Sequence, residues 1–409
     1  MRLIKANENK FIDEKFGIIK SIYDLPTYPG LPRVYVKMSF GSSYATSGFN
    51  SSGAGITKIK AKNAAVGEYI ERYSLLHPNI SKKSTASKYI FPHMLNPTIM
   101  NSSFSKENLH WQDGLNLMTE EKVALPYENI YLNYKKRGLN KDWVTTADGA
   151  ACGENTFQII WKCIAEVLER DAFVTNWRYQ MASKKIDITA NSELMNFYQE
   201  YIETAQVKIS LYKLEMDWSA PTVFGVAALA NGSCVVSAST RDTWIAACKK
   251  TLLELAQSLI GYASVLFNRM KIEPVTSFED INDYQDHSAL YFNPNMARHL
   301  DFFDSGNSFI IPESEPDRTD EEKTKFFLTQ LKSINRPAYY TDVTAIDILP
   351  YKNWHVGRVL IPDMLDVEPN YIPILKRNRL VEAKNNMIKF GKKKHSDFHS
   401  QPNVPHPFP

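Results

Sequence analysis

Cysteine is scarce and scattered in this sequence: Cys152, Cys163, Cys234 and Cys248 are the only four in 409 residues, and no two form a C-x-x-C pair. That excludes a disulfide framework, and with nine histidines equally dispersed it argues against a structural zinc site. Small buried apolar thiols are the expected state of all four, with a nucleophilic Cys152 or Cys163 the less favoured alternative. A reducing, cytoplasmic setting fits. Neither sign of charge dominates: 48 basic against 45 acidic residues give a formal net charge of +3, so nothing global suggests a nucleic-acid partner. Long apolar runs are missing too. The opening "MRLIKANENKFIDEKFGIIK" lacks the core of a signal peptide, and no stretch approaches a membrane span. There is no G-x-x-x-x-G-K-[ST] loop and no kinase motif set.

What is present is enough apolar material, 44% of the chain, for a substantial core. "RVYVKMSF" reads as a strand, and a long helix is predicted from Thr57 to Leu76. "FQIIWKCIAEVLERDAFVTNW" predicts a second helix and the stretch from Arg241 to Tyr262 a third. Strand candidates are "VKISLYKL", "TVFGVAALA", "SCVVSAS", "AYYTDV" and "GRVLIP". This is an α/β pattern. Residues 277–335, with weak periodicity and acidic clusters, are expected to form a surface excursion with a helix near "KTKFFLTQLKSI". The late basic residues, from Lys376 to Lys394, are expected on a solvated face, with contact to an acidic partner or peptide as the alternative. One domain is expected over residues 1–389, followed by a polar connector and tail over 390–409.

Two helices repeat one pattern. "EYIERY" places Glu68, Glu71 and Arg72 at i, i+3 and i+4, and "EVLERD" places Glu166, Glu169 and Arg170 at the same spacing. The third helix offers Glu254 and Gln257. Residues so spaced share one helix face. A single such set is ordinarily a solvated Glu–Arg pair worth a few tenths of a kcal/mol. Here both helices are apolar around the motif, which leaves little surface for water. Buried carboxylates need cations, and one arginine per pair leaves a net negative charge. Oxygen ligands without cysteine or histidine favour Mg²⁺ or Ca²⁺, and magnesium held by carboxylates usually accompanies phosphates, which suit the arginines. A magnesium–nucleotide triphosphate site is the chemical expectation.

The end of the sequence, "PHPFP", alternates Pro405, Pro407 and Pro409. In polyproline II geometry five such residues span roughly 15 Å and lose little entropy on being placed. The plain alternatives are a solvated tail or a ligand for a proline-binding module.

"GAGITKIKAKNAAVGEYIERY", "GAACGENTFQIIWKCIAEVLERDAFVTNW" and "ACKKTLLELAQS" resemble, in order, the three signature helices of the YcaO family. "GRVLIPDM" is similar to the family's late strand, which carries an arginine, here Arg358. The proline end, "FIDEKFGIIKSIYDLP" and "DHSALYFNP" resemble the streptolysin S type of cyclodehydratase D protein within that family. The resemblance implies a YcaO-like fold, with mixed β-sheets flanked by helices and a nucleotide cleft between them. It implies ATP and Mg²⁺ as cofactors, with Glu68, Glu71, Glu166 and Glu169 as the metal shell. Arg72, Arg170 and Arg358 would contact phosphates, while Glu254 and Gln257 complete the nucleotide pocket. The sequence departs from the family's habit at Ala64, where a hydroxyl residue is frequent, and at Lys162, where an amide is frequent.

The implied activity is ATP-dependent cyclodehydration, in which Cys, Ser or Thr of a ribosomal precursor peptide becomes a thiazoline or (methyl)oxazoline. The resemblance also places the prolines of the tail, with the Pro409 carboxylate, at the active site. With no adenylating-enzyme-like domain or C-x-x-C pair ahead of the YcaO-like region, a separate leader-binding C protein is expected. A flavin-dependent dehydrogenase and a homodimeric state are further expectations of the family. Thioamide or macroamidine formation, or a non-catalytic scaffold that binds a precursor peptide, are the alternatives.

Overall fold

A computed structural model describes residues 11–41, 50–79, 84–99, 104–134, 143–267, 277–351 and 353–408. Among them the chain builds three sheets. The first is antiparallel, with strands β1 (Ile19–Asp24), β2 (Tyr35–Gly41) and β3 (Asn50–Gly55) in order. Of the rest, β4 (Lys88–Tyr89), β5 (Trp111–Asn116), β6 (Lys122–Pro126) and β7 (Ala150–Gly153) come early in the chain. They are followed by β8 (Ser183–Ile186), β9 (Val207–Lys213), β10 (Thr222–Leu229), β11 (Cys234–Thr240), β12 (Asp304–Phe309), β13 (Tyr339–Asp342) and β14 (His355–Leu360). A five-stranded sheet runs β11-β10-β9-β8-β12 and a six-stranded sheet β4-β6-β5-β13-β14-β7. Both are mixed, because β12 pairs parallel to β8 and β4 parallel to β6. The expected strands are all present, within a residue or two at their ends.

Three long helices lie between and on these sheets: α1 (Lys58–Leu76), α2 (Thr156–Arg178) and α3 (Trp244–Phe267). Their starts follow from local chemistry. Thr57 caps α1 by accepting from the Lys60 N–H, and Asn155 caps α2 by accepting from Gln158. α1 packs on β2, β3 and β7; α2 on β7, β14 and β11; α3 on β11, β10 and β3. The approach of α1 to β3 depends on Gly53, where a Cβ would sit 2.2 Å from the Ala65 nitrogen. Each sheet therefore presents one long helix to a shared interior.

Two expectations fail. Residues 277–335 are not a surface excursion: β12 completes the five-stranded sheet, and His287 on α4 (Tyr284–Leu290), with Tyr291 and Phe303 after it, is buried. The acidic residues there act as caps. Asp283 accepts from two N–H groups of α4, and Thr319 with Glu322 forms a capping box on α5 (Asp320–Ser333). The late basic run is not simply a solvated face either. Arg379, on α6 (Asn378–Lys389), is fully buried between Asp171 and Asp217, and Lys392 donates to the carbonyls of Met216 and Trp218 at 2.9 and 2.7 Å.

Candidate active site

α1 brings Glu68, Glu71 and Arg72 to the interior, α2 brings Glu166, Glu169 and Arg170, and α3 brings Glu254 and Gln257. Cross-links between elements fix several of these side chains. Gln257 Nε2 donates to Ser52 Oγ at 2.7 Å, tying α3 to β3, and Ser237 Oγ donates to Glu254 at 2.6 Å. The Thr240 N–H donates to Glu169 at 3.3 Å and the Gly149 N–H to Glu166 at 3.2 Å. Arg170 stands among Asp148, Glu166 and Glu169, at 3.4, 3.5 and 3.6 Å respectively. These are longer than good charge-assisted hydrogen bonds.

The carboxylates feel one another across the three helices. Burial, then the charges of Glu166 and Glu68, push Glu71 up to about 8 against the pull of Arg72. Burial, and beyond it Glu254 and Glu166, push Glu169 up to about 8 although Arg170 and Arg241 oppose this. Glu68 and Glu166 are raised by burial as well, in part offset by Arg72 and Arg170. Glu254 alone moves down: burial opposes it, but Lys250, at 2.9 Å, and the Ser237 hydroxyl hold it charged. Despite their own burial, Arg72 and Arg170 are held more firmly protonated by these neighbours. The cluster thus has more carboxylate than its arginines neutralise, and it keeps protons for want of a further cation.

That surplus suits a hard divalent ion. The donors are carboxylate oxygens, and Glu68, Glu71, Glu166 and Glu169 are the residues available to hold Mg²⁺. Among the described residues no three acidic, histidine or cysteine side chains are close enough to grip one ion as they stand. A magnesium ion that takes part of its shell from phosphate oxygens does not require them to be.

Three cations join the cluster's edge, of which motif reading had noted only Lys162, as a departure able to supply a phosphate contact. Lys250 and Arg241 influence Glu68 and Glu169, and Lys162, whose Nζ donates to the Cys152 carbonyl at 3.2 Å, influences Glu71. Lys250 was visible in the sequence as the residue four before Glu254; Arg241 had no local signal. Asp148, in the turn before β7, was also missed. Ala64 is exposed and adds no polar contact.

Arg358, expected as a phosphate contact, is bonded to backbone through its terminal nitrogens. Its terminal nitrogens donate to the carbonyls of Ile130, Thr146 and Asp148, at 2.6, 2.7 and 3.2 Å. On a buried central strand the guanidinium satisfies loop carbonyls behind the cluster, so both ends of its fork are already engaged. Burial pushes the Cys152 and Cys234 thiols up to about 12 and raises Cys163 and Cys248; Cys163, Cys234 and Cys248 are buried as expected, while Cys152 is half-buried.

The tail runs into this site. Pro405 and Pro407 are buried, while Pro409 lies outside the described residues. The Tyr291 hydroxyl donates to the Pro405 carbonyl at 2.7 Å, and the His406 ring stacks on His287 at 3.7 Å. His406 Nε2 lies 2.9 Å from the Glu368 carbonyl. Phe408 then packs on Phe173, and the Arg170 guanidinium lies over its ring at 4.5 Å. Within the described part of the tail, Phe408 is the residue that meets the cluster, through Arg170.

Comparison with known proteins agrees with this picture. The family model described as YcaO cyclodehydratase, ATP- and Mg²⁺-binding, matches residues 52–365. No curated protein matches the chain by sequence. Among solved structures, a heterocyclase in complex with substrate and cofactor is similar at TM-score 0.72 and 17% identity, covering 98% of this chain and 56% of that one. This chain therefore spans little more than half the length of that heterocyclase. YcaO from Methanopyrus kandleri, bound with AMPPCP and Mg²⁺, is similar at TM-score 0.63 and 16% identity, covering 85% and 86%. The E. coli microcin synthetase McbBCD complex with pro-MccB17 bound is similar at TM-score 0.56 and 16% identity, covering 85% and 87%. The α/β fold is shared with all three.

Proposed function

This chain belongs to the YcaO family, and from that premise we propose that it is the ATP-dependent cyclodehydratase component of a peptide heterocyclase. Its substrate is a ribosomal precursor peptide, whose Cys, Ser or Thr side chains become thiazolines or (methyl)oxazolines. The observation that carries this reading is the convergence of proton-holding glutamates from α1 and α2, beside Glu254 of α3, on one arginine-flanked interior.

An amide oxygen leaves poorly, and bound ATP with Mg²⁺ supplies the phosphoryl group that makes it leave well. The chain's residues prepare for that event. Glu68, Glu71, Glu166 and Glu169 would hold the metal, with Glu71 and Glu169 giving up the protons they otherwise keep. Arg72 and Arg170 would meet the phosphates and supply positive charge to stabilise them. Glu254 and Gln257 hold the nucleotide side of the pocket, and Lys250, Arg241 and Lys162 add positive charge at its edge. Arg358 orders the loop of Asp148 from behind. Phe408, lying beneath Arg170, fixes that guanidinium, so the prolines of the tail act by delivering Phe408. Catalysis by the tail's last residue is a second part of the same proposal.

A separate leader-binding partner, a flavin-dependent dehydrogenase acting later and a homodimeric state complete the proposal, with the cytoplasm as its setting. The likeness to a synthetase complex solved with its pro-peptide supports the first of these. Among the described residues no helix is long and apolar enough to cross a membrane. Reconstitution with the neighbouring leader-binding protein and precursor tests the reading. Mass spectrometry should find one water lost per ring, with one ATP hydrolysed each time. ATP turnover without peptide dehydration would overturn it.

A further inference from the structure

Asp148, which pairs with Arg170, also lines a cavity of about 80 Å³. That is several times the roughly 10–15 Å³ that one water needs. Its wall includes Trp143, Asn129, Asp148, Arg358, Asp366 and Arg377. The wall is unusual in what it leaves unpaired. Nε of Arg358, Nε of Arg377 and Oδ1 of Asn129 are buried without a hydrogen-bond partner. Arg358 is 3% exposed and the Arg377 side chain 9%. Each such orphan costs about 1–3 kcal/mol unless a ligand or water satisfies it. The residues that wall the space thus carry two donors and one acceptor that the chain leaves unpaired, and a peptide group offers one C=O and one N–H.

The cavity adjoins the glutamate cluster. Asp148 lines it and also pairs with Arg170 at 3.4 Å. Tyr284, whose hydroxyl donates to the Val367 carbonyl at 3.0 Å, is influenced at once by Asp148, Arg170, Asp366 and Arg72. A peptide bond held in the cavity would therefore lie next to a nucleotide held by α1, α2 and α3. Unlike Asp148, Asp366 is open to solvent at the cavity, and no salt bridge holds its carboxylate among the described residues.

We propose that this cavity receives the peptide unit to be cyclised, and that Asp366 is the base that takes the proton of the attacking side chain. The inference rests on the cyclodehydratase reading. As the Asp366 carboxylate accepts the proton, the thiol sulfur or hydroxyl oxygen bonds to the preceding amide carbon, and the carbonyl π electrons move to oxygen. That oxygen takes the γ-phosphoryl group as the bond to ADP breaks. The nitrogen then loses its proton to solvent, and phosphate departs with the C–O bond, which leaves the ring's C=N.

Several charged groups face Asp366. The protein packed around it strips water from the carboxylate although the residue still reaches solvent, and this desolvation, then Asp148 and Glu368, push its pKa up to about 7, against Arg377 and Arg358. A base with that proton affinity works near neutrality. Glu368 is itself paired with Arg178 at 3.4 Å.

The test uses the full chain with its leader-binding partner and precursor. Asp366→Asn should lower ring formation about 100-fold at pH 7, with Mg²⁺–ATP affinity changed less than about twofold. The wild-type rate should rise to a plateau through a midpoint near pH 7, and the variant should lack that limb. Asp366→Glu should restore part of the rate and the limb. Wild-type rate and pH profile in Asp366→Asn would overturn the proposal while leaving the cyclodehydratase reading intact. A second arm needs no turnover. With AMPPCP and Mg²⁺ present, added precursor should change tryptophan fluorescence in the wild type, and Trp143→Phe should remove that change. The same change in Trp143→Phe as in the wild type would overturn the placement of the peptide. Absence of rings from the wild type itself would defeat the parent reading instead.

Discussion

Two buried charge clusters lie next to each other on α2, beginning at adjacent residues, and they differ in every physical respect. Asp171 belongs to the first. It and Asp217 receive Arg379 through hydrogen bonds of 2.6–3.1 Å, with all three side chains sealed from solvent. Arg170 belongs to the second, where its three carboxylate neighbours stand at 3.4–3.6 Å and the glutamates hold protons. The first cluster is closed and complete. The second has donors and charges in surplus, arranged loosely enough to admit something else. Burial of charge alone therefore does not mark a site; an unresolved imbalance does.

The comparison breaks most visibly at Arg379. Arg379→Met leaves two buried carboxylates without a cation and should cost about 3–5 kcal/mol of stability, read by denaturant unfolding. Glu71→Gln or Glu169→Gln should do the reverse. Ring formation should fall at least about 100-fold, while thermal stability stays level or rises, because a neutral amide replaces a carboxyl group that resists ionisation.

Phe408→Ala should give a smaller effect, about a tenfold loss of ring formation, since it removes one cation–π contact and one buried ring. Deleting residues 407–409 should match or exceed it. Full activity in both would show that the tail has no part in the chemistry.

The two clusters should also respond to pH with opposite sign. In the nucleotide-free chain Glu71 and Glu169 keep protons to about pH 8, whereas unfolded glutamates release them near about 4.3. Their contribution to stability is full at low pH and is lost as pH rises toward 8. Asp217, although burial opposes it, is held below its ordinary range by Arg379, so its contribution is present at neutral pH and lost as pH falls. Urea unfolding from pH 5 to pH 8.5 should show a declining limb that Glu71→Gln and Glu169→Gln flatten and Arg379→Met does not.

Much of this was legible in the sequence. The three long helices were readable because their apolar faces repeat over many turns, and the Glu–Glu–Arg spacing put the site groups on common faces. What escaped reading was non-local. Arg379 looked like one member of a basic run because its two partners lie far away in the chain, at Asp171 and Asp217. The acidic stretch around Asp283 and Glu322 looked like surface because capping carboxylates and solvated ones have the same composition. Arg358 was assigned to phosphate by resemblance, yet its partners are carbonyls, which carry no mark in the sequence. Asp148 and Asp366, loop acids without a motif around them, became visible only once folding had placed them on one cavity.

The central claim is that glutamates from separate helices hold one magnesium–nucleotide, exchanging their protons for the metal. Calorimetric titration of AMPPCP at pH 7, with and without Mg²⁺, in buffers of different ionisation enthalpy, measures this directly. The account predicts Mg²⁺-dependent binding that releases about one proton or more per nucleotide, reduced in Glu71→Gln and Glu169→Gln. Binding that ignores Mg²⁺, or that releases no protons, would contradict it.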